Sequence, residues 1–308
     1  MSQSPLKPLF LVNPASANGS TGKRWPRLVA RAAELGLVGE TILSQYPGHL
    51  AEAARDAPAG TLLVVVGGDG TLNEVVNGVA GTDAEIAVLP AGTGQDFART
   101  HGIPARFDDA VRLVLEGEPR TIDLGRVTCS GGERWFANVG SVGMSGAVAT
   151  RANGMSKALG GRTTFFYALV REFLGWRNTE VTVTLDDQER RGPMHDVIVA
   201  NGRWHGGGMK LAPDASWDDG LFDVVLIGDV NKLDFITTAP KLYSGRHVHH
   251  PKIDVFRSRT VTVDAAMPLP IEVEGEPAGT TPARFEVVPA ALRVRVPRNV
   301  SAGAESGH

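Results

Sequence analysis

The feature that most constrains the fold is an apolar run, Leu62 to Val66, that leads directly into the segment Gly67-Gly68-Asp69-Gly70-Thr71. A strand without polar alternation is typical of a parallel sheet whose two faces are both covered by helices. The next apolar residues recur at the spacing of one helix face: Leu72, Val75, Val76 and Val79. This spacing predicts a helix that packs back on the sheet, so the sequence indicates a strand, a glycine turn and a helix of an α/β domain.

Alternating strand and helix patterns extend over residues 1–125, which predicts a doubly wound α/β nucleotide-binding domain. The predicted strands are 8–12, 40–43, 62–66 and 86–89, and the predicted helices are 25–35, 50–56, a segment through 72–79, and 109–115. From residue 126 the apolar residues alternate with period two, for example at Val181, Val183 and Leu185. We therefore expect a β-rich, sandwich-like domain over 126–297.

One helical insert is expected to interrupt this second domain. Its apolar residues are predicted to share one face: Phe165, Phe166, Leu169, Val170, Phe173 and Leu174. An interfacial helix that contacts acyl chains is the alternative to core packing for this stripe. The small, polar residues 298–308 are expected to form a disordered tail.

Charge and cysteine content exclude several classes of function. The chain has 31 Lys and Arg against 34 Asp and Glu, so we expect no nucleic-acid partner. A single cysteine, Cys129, permits neither an internal disulfide nor a Cys-based zinc site. No apolar run approaches the ~20 residues that span a bilayer. We expect a cytoplasmic protein that is not transmembrane, with peripheral contact at the inner membrane surface as one alternative and a homodimer as an open one.

Polar or glycine-rich segments follow four of the predicted strands, where ligands of open α/β sheets bind. These segments are Asn13 to Ser16, Ser44, Gly67 to Thr71, and Pro90 to Gly94. Glycines let the backbone approach oxygens closely, and the N-terminus of the following helix favours anions. The sequence therefore predicts a polyphosphate site, with Ser16 among the candidate contacts.

Standard nucleotide motifs do not account for these turns. A Walker P-loop would require glycine and Ser or Thr at the positions that hold Ala17 and Arg24. The dinucleotide fingerprint fails because Asn73 and Phe97 stand at its third glycine positions. A different phosphate-binding arrangement is therefore expected.

Asp69 places a carboxylate inside a predicted phosphate-binding turn, where it would repel the ligand unless a cation offsets its charge. Magnesium binds one or two carboxylates together with substrate phosphates and water, which makes Asp69 a candidate direct or water-mediated ligand. The alternative is an aspartate that only hydrogen-bonds the turn.

Seven motifs in order along the chain resemble those of the bacterial diacylglycerol and sphingosine-type lipid kinases, whose nucleotide domain is related to those of NAD kinases and phosphofructokinases. The motifs lie at 13–14, 67–78, 89–99, 123–125, 200–208, 212–223 and 272–277. The resemblance implies an ATP- and Mg²⁺-dependent lipid kinase. It would transfer the γ-phosphoryl group to a hydroxyl of diacylglycerol or a related lipid at the membrane surface.

The resemblance also implies roles for individual residues. The implied nucleotide contacts are Asn13, Ser44, Gly67, Gly68, Asp69, Gly70, Thr71, Leu72, Asn73 and Thr93. Ser216, Asp219 and Leu221 match a magnesium position, in which Asp219 lends its carboxylate and the other two their backbone carbonyls. Glu276 matches the proton acceptor, with Asp69 and Glu274 as further catalytic candidates.

Glu274 and Glu276 are two residues apart, so on one strand both side chains would point to the same side.

Two positions depart from the family pattern: Gln95 stands for the usual asparagine, and Glu274 for the usual aspartate. Each adds about 1.3 Å of reach. Two alternatives therefore stay open: a kinase of a soluble acceptor, as in NAD kinases, and a nucleotide-binding regulator with weakened catalysis.

Overall fold

A computed structural model describes residues 6–92, 94–155 and 161–298, except for the side chains of 161–163, 165 and 166. By its internal contacts the chain divides into two compact units. The first comprises the chain up to Asp123 and again from Pro289 onward, and the second comprises Leu124–Val288. The sequence alone placed the whole of 126–297 in the second domain, whereas the contacts assign the chain from Pro289 to the first unit.

The first unit is built around a parallel sheet. Its strands are β1 (Lys7–Val12), β2 (Glu40–Leu43), β3 (Thr61–Gly67) and β4 (Glu85–Pro90), in the order β2-β1-β3-β4. The last strand of the chain, β18 (Ala283–Val296), adds Arg293 and Val294 parallel to β4. Its helices are α1 (Ser20–Glu34), α2 (His49–Arg55), α3 (Asp69–Val79), α4 (Asp96–Thr100) and α5 (Phe107–Glu116).

The predicted α/β pattern of this unit is confirmed. Residues 62–66 of β3 are all buried, as are the four residues of α3 that define its predicted face. Helix α1 begins at Ser20, five residues before the predicted start at Trp25. Apolar periodicity begins only at Trp25, because the first turns of α1 consist of small and polar residues.

The second unit contains two antiparallel sheets. The first includes β5 (Glu118–Cys129), β6 (Gly132–Phe136), β8 (Thr179–Leu185), β9 (Gln188–Met194), β15 (Thr260–Ala265) and the beginning of β18. The second includes β7 (Val139–Gly143), β10 (Asp196–Ala200), β13 (Phe222–Ile227), β14 (Ile253–Ser258), β16 (Pro270–Val273) and β17 (Glu276–Thr280), in the order β14-β13-β10-β7-β16-β17. A short hairpin pairs β11 (Trp204–His205) with β12 (Met209–Lys210).

Side chains from both sheets form one buried core, which confirms the sandwich. Val183 of β8 and Val263 of β15 belong to the same apolar cluster as Val197 of β10 and Ile271 of β16. Strands β10 and β13 are buried along nearly their whole length rather than on alternate residues. The alternation predicted there is wrong because a second cluster, which includes Leu211, covers the other face of this sheet.

The helical insert consists of two helices, α6 (Met144–Asn153) and α7 (Gly161–Gly175), and α8 (Lys232–Thr238) follows later in the unit. The predicted common face is only partly buried, because Val170 and Leu174 are exposed to 40% and 59%. Sequence patterns missed α6, whose small residues show little apolar periodicity. In the part of the chain that the structure describes, no helix has the length and apolar character needed to cross a bilayer.

Candidate active site

Two glycine turns of the first unit lie in direct contact. Gly67 ends β3, and its carbonyl accepts hydrogen bonds from the N–H groups of Ala91 (2.9 Å) and Gly92 (3.1 Å). A Cβ atom on Gly92 would lie 2.4 Å from Gly68 Cα, so no other residue fits at this crossing without moving backbone. The two segments predicted from sequence to bind phosphate are therefore packed together where β3 and β4 end.

Side chains of the segment after β1, Asn13 to Ser16, connect this segment to both glycine turns. Asn13 Nδ2 donates to Thr71 Oγ1 at 3.2 Å, and Asn13 Oδ1 accepts from the Ala15 N–H at 3.0 Å. Ser16 Oγ donates to Thr21 Oγ1 (2.6 Å), which in turn donates to the carbonyl of Ala91 (3.0 Å). Hydrogen bonds of short polar side chains therefore hold these backbone turns together.

The Asp69 carboxylate connects the 67–71 turn to helix α4 by two hydrogen bonds. Its Oδ2 accepts from the Asp96 N–H and its Oδ1 from the Phe97 N–H, each at 3.1 Å. These two residues begin α4, so Asp69 holds the start of a neighbouring helix rather than only its own turn. The side chain of Gln95, one of the two departures from the family pattern, donates to the Gly92 carbonyl at 3.4 Å.

The remaining predicted nucleotide contacts differ in their surroundings. Ser44 follows β2, and its Oγ donates to the Tyr46 carbonyl at 3.3 Å. Leu72 is buried in the core, and Asn73 accepts hydrogen bonds from Asn77 in the next turn of α3. Thr93 lies outside the described residues.

In the second unit, Glu274 and Gly275 form a two-residue hairpin turn between β16 and β17, with φ angles of 52° and 82°. Both angles are typical of the type I′ turn that joins antiparallel strands tightly. The expectation that Glu274 and Glu276 share one strand is therefore wrong, because Glu274 is the first residue of the turn and Glu276 the first residue of β17.

The two glutamates also differ in their contacts. The Glu274 carboxylate accepts from the N–H groups of Ala137 (2.8 Å) and Asn138 (2.6 Å) and from Asn138 Nδ2 (3.2 Å). Glu276, the first residue of β17, is exposed. Glu274 thus attaches the hairpin to the backbone of residues 137 and 138, and Glu276 is accessible to a ligand.

The residues predicted to hold magnesium lie in one acidic segment of the second unit. Asp219 Oδ1 accepts from the Leu221 N–H at 3.1 Å, and its Oδ2 pairs with Arg257. Ser216 Oγ donates to Asp218 Oδ1 at 2.9 Å. Among the described residues, no three His, Cys, Asp or Glu side chains are grouped so as to hold a metal ion.

Asp223 provides a test of whether this segment suits a cation. Burial raises the pKa of its carboxyl to about 6 against the opposing charge of Arg257, and Asp219 and Asp214 raise it further. Its Oδ2 is buried without a hydrogen-bond partner. Since Mg²⁺ prefers oxygen ligands and accepts a single carboxylate with carbonyls and water, the donors of this segment fit it.

Comparison with known proteins covers both units. Residues 7–127 match the diacylglycerol kinase catalytic domain, and residues 138–296 match the YegS C-terminal NAD kinase beta sandwich-like domain. A diacylglycerol kinase of Mycobacterium tuberculosis is 32% identical over 94% of each chain. The chain belongs to the bacterial diacylglycerol kinase family.

A second relative and one solved structure are also similar to this chain. A diacylglycerol kinase of Bacillus subtilis is 29% identical over 90% of this chain and 91% of its own. The crystal structure of a Bacillus anthracis protein described as a candidate diacylglycerol kinase superposes with a TM-score of 0.78, at 22% identity, over 97% of this chain and 98% of that one. The latter likeness supports the fold alone.

Sequence reasoning missed a connected group of polar residues in the second unit of this kinase, in which Ser141, Asp196 and Glu272 are buried and Ser145 and His205 are partly buried. Glu272 is the most deeply buried carboxylate of the group, with 1% exposure. The only signal in the sequence is a charged residue between Ile271 and Val273 of a strand, which a solvated strand face would explain equally well.

Proposed function

We propose that this protein is an ATP- and magnesium-dependent lipid kinase that phosphorylates a hydroxyl of diacylglycerol or a closely related lipid. The observation that carries the proposal is the direct packing of the 67–71 turn against Gly92 and Gly94. Family membership supports phosphoryl transfer, and the names of the relatives, diacylglycerol kinase and lipid kinase, support the acceptor class.

The triphosphate is proposed to bind at the N-terminus of α3. The first N–H groups of any α-helix lack intrahelical acceptors, and the helix dipole there favours negative charge. A Cβ on Gly70 would meet no atom within 4 Å, so open space is available for a ligand beside this backbone. Asn13, Ser16, Ser44, Gly67, Gly68, Asp69, Thr71, Leu72, Asn73 and Thr93 complete the proposed nucleotide-binding set.

Ser216, Asp219 and Leu221 are proposed to hold Mg²⁺, with Asp219 as the charged ligand and the other two as carbonyl donors. A bound divalent cation would neutralise negative charge near the transferred phosphoryl group. Asp69 orients the start of α4 through two backbone N–H groups, and its charge makes it the second candidate for cation contact.

Glu276 is proposed as the proton acceptor. As the lipid oxygen bonds to the γ-phosphorus and the bond from that phosphorus to the bridging oxygen breaks, the hydroxyl proton passes to the carboxylate of Glu276, and ADP leaves. The contacts of Glu274 assign it a different part, since both of its oxygens are engaged by donors of residues 137 and 138. Glu274 would therefore hold the hairpin rather than carry the proton.

Incubation of the purified protein with Mg–ATP and diacylglycerol in mixed micelles tests the proposal, with the phosphorylated lipid measured by mass spectrometry. We expect lipid phosphorylation and no phosphorylation of NAD or sugars. Glu276→Gln should lose on the order of a hundredfold in rate, because general bases contribute roughly that much or more. Glu189→Gln, at an exposed position of β9, is the matched control and should keep the rate. A soluble product from a soluble acceptor, or full activity in Glu276→Gln, would contradict the proposal.

The extra methylene of Glu274 argues against a weakened, purely regulatory protein. The longer side chain reaches three N–H donors at hydrogen-bond distance, so this departure from the family pattern is matched by its surroundings. Nucleotide binding without turnover on any lipid would nevertheless favour the regulator.

A further inference from the structure

Glu272 is a buried carboxylate that contacts the hairpin turn from within the second unit. Its Oε2 accepts from the Gly275 N–H at 2.6 Å, and Gly275 lies between Glu274 and Glu276. Its Oε1 accepts from Ser141 Oγ at 2.6 Å and lies 3.3 Å from His205 Nε2. The carboxylate thus joins the turn, strand β7 and the β11–β12 hairpin at one point.

We propose that Glu272 is a positioning residue for phosphoryl transfer, whose carboxylate fixes the Glu274–Gly275 turn and thereby the place of Glu276. This inference rests on the proposed role of Glu276 as proton acceptor. Glu272 itself is buried and would not touch the substrate.

A chain of hydrogen bonds connects Glu272 to a second buried carboxyl group. Ser141 Oγ lies 2.6 Å from Ser145 Oγ, which lies 2.8 Å from Asp196 Oδ1. Together with the Ser141–Glu272 contact, three short contacts join four oxygen atoms. The two serine hydroxyls supply only two hydrogens for these three contacts. The chain is therefore complete only when one of the two carboxyl groups carries a proton.

The environment places that proton on Asp196. Burial raises the pKa of Asp196 to about 8 despite hydrogen bonds from Ser145, and the charge of Glu272 raises it further. Burial also acts to raise the pKa of Glu272, but His205, Ser141 and the Gly275 N–H outweigh it and hold that pKa below its ordinary value. Two titratable side chains that face Glu272 are His205 on β11 and Asp196 on β10.

At neutral pH the hydrogens therefore run in one direction. With Asp196 protonated, its O–H donates to Ser145 Oγ, Ser145 to Ser141, and Ser141 to the ionised Glu272; with Asp196 ionised, Ser145 Oγ donates to Asp196 Oδ1 instead. Glu272 then receives donors on both oxygens, which holds its side chain in one orientation. The turn is fixed by a charge that the substrate never contacts.

Two single-atom substitutions should have opposite consequences. In Glu272→Gln the amide Nε2 cannot accept, so the Gly275 bond is lost when that nitrogen faces the turn. When it faces Ser141 it can only donate, so the hydrogens of the chain must reverse and end on an ionised, buried Asp196. In Asp196→Asn the new Nδ2 can donate to Ser145 Oγ as the carboxyl O–H did, while Oδ1 still accepts from the Ser145 N–H. Replacement of the carboxyl group by an amide should therefore be harmful at 272, where it removes a charge, and tolerated at 196, where it replaces a neutral donor.

Steady-state kinetics with diacylglycerol and Mg–ATP tests the proposal. Glu272→Gln should lower kcat by about ten- to a hundredfold, since a displacement near 1 Å costs about that much. KM for ATP should change by less than about twofold, because nucleotide contacts are unaltered. Asp196→Asn should keep the wild-type kcat at pH 7. Above about pH 8 the wild type should lose kcat as Asp196 ionises, and Asp196→Asn should not.

Hydrogen exchange gives a readout that does not depend on activity. The amides of 274–276 should exchange faster in Glu272→Gln than in the wild type, with unchanged exchange in β8 and β15. If Glu272→Gln does not fold, Ser141→Ala removes a single donor to Glu272 and should show the same pattern with a smaller loss of kcat. Wild-type kcat together with wild-type exchange in either folded variant would overturn the proposal.

The outcomes separate this inference from the proposed function. Inactive Glu276→Gln with fully active Glu272→Gln would refute the positioning role and leave the kinase assignment intact. Absence of lipid phosphorylation in the wild type, or a fully active Glu276→Gln, would refute the proposed function. Hydrogen exchange would in that case still decide whether Glu272 holds the turn.

Discussion

The glycine turns of the first unit and the 272–276 hairpin of the second are stabilised in different ways. Where Gly68 meets Gly92 and Gly94 the backbone itself forms the contact, and a methyl group on Gly92 would break it. At the hairpin, buried carboxylates and their donors hold the chain. The first region is therefore expected to be sensitive to volume, and the second to charge and protonation.

The largest effect is expected from added volume in the first region. Gly92→Ala puts a Cβ 2.4 Å from Gly68 Cα, so the turns must separate. Separation of tightly packed atoms costs about 1–3 kcal/mol, and lipid kinase activity should fall below detection. Thermal unfolding and product formation measure the two effects.

Gly70→Ala sharpens this comparison within the same turn. A Cβ there meets nothing within 4 Å, so thermal stability should stay at or above that of the wild type. Nucleotide affinity should nevertheless fall, because the methyl group would occupy the proposed phosphate position. Equal activity of Gly92→Ala and the wild type would contradict the account of the turns.

Asp69→Asn is expected to have the next largest effect. The amide keeps one acceptor oxygen for the Asp96 and Phe97 N–H groups, so one buried hydrogen bond is lost at a cost of about 1–3 kcal/mol. ATP affinity should fall by on the order of tenfold, since the start of α4 is no longer fixed. Fluorescence competition with a labelled nucleotide measures this, with Asp83→Asn at an exposed position as control. An unchanged affinity for ATP would show that the hydrogen bonds of Asp69 to α4 are not needed for nucleotide binding.

The protonation of Asp196 in the second region should make the free energy of unfolding depend on pH. The folded pKa of Asp196 lies near 8, above its unfolded value, so its stabilising contribution is fully present at low pH and is lost as pH rises towards 8. The free energy of unfolding of Asp196→Asn relative to wild type should therefore increase with pH, by at most about 1.4 kcal/mol per unit, and level off above pH 8. Urea unfolding from pH 5 to 9 measures it; a pH-independent difference would contradict a protonated Asp196.

The smallest expected effect is that of Glu274→Asp, which restores the usual family residue. The shorter side chain should lose contact with part of the donors at 137 and 138, so stability should fall by about 1 kcal/mol without a gain in kcat. Urea unfolding measures the change in stability, and steady-state kinetics measures kcat. Increased activity would instead favour the regulator hypothesis, in which the extra methylene has weakened catalysis.

The contrast between the two regions also explains how far the sequence could predict this molecule. Residues 62–79 were predictable because a buried strand, a glycine turn and an amphipathic helix are contiguous and each has its own periodicity. The fold of both units followed from such local patterns. The surroundings of Thr71 were not predictable: the residue was expected among the nucleotide contacts, and the structure shows that it is buried and accepts from Asn13.

Partners distant in sequence were not predictable. Asp69 bonds residues 27 and 28 positions away, and Glu272 bonds Ser141 131 positions away. No periodicity encodes such pairs, because a buried glutamate and a solvated one look alike in a strand sequence. The Glu274–Gly275 turn was likewise predicted as continuous strand.

The packed glycine turns are proposed to bind the triphosphate of Mg–ATP. Isothermal titration calorimetry of Mg–ATP into the folded wild type and into Gly92→Ala tests this binding. We expect a saturable heat of binding with one site in the wild type and none in the variant. No heat in the wild type, or the same affinity in both proteins, would contradict it.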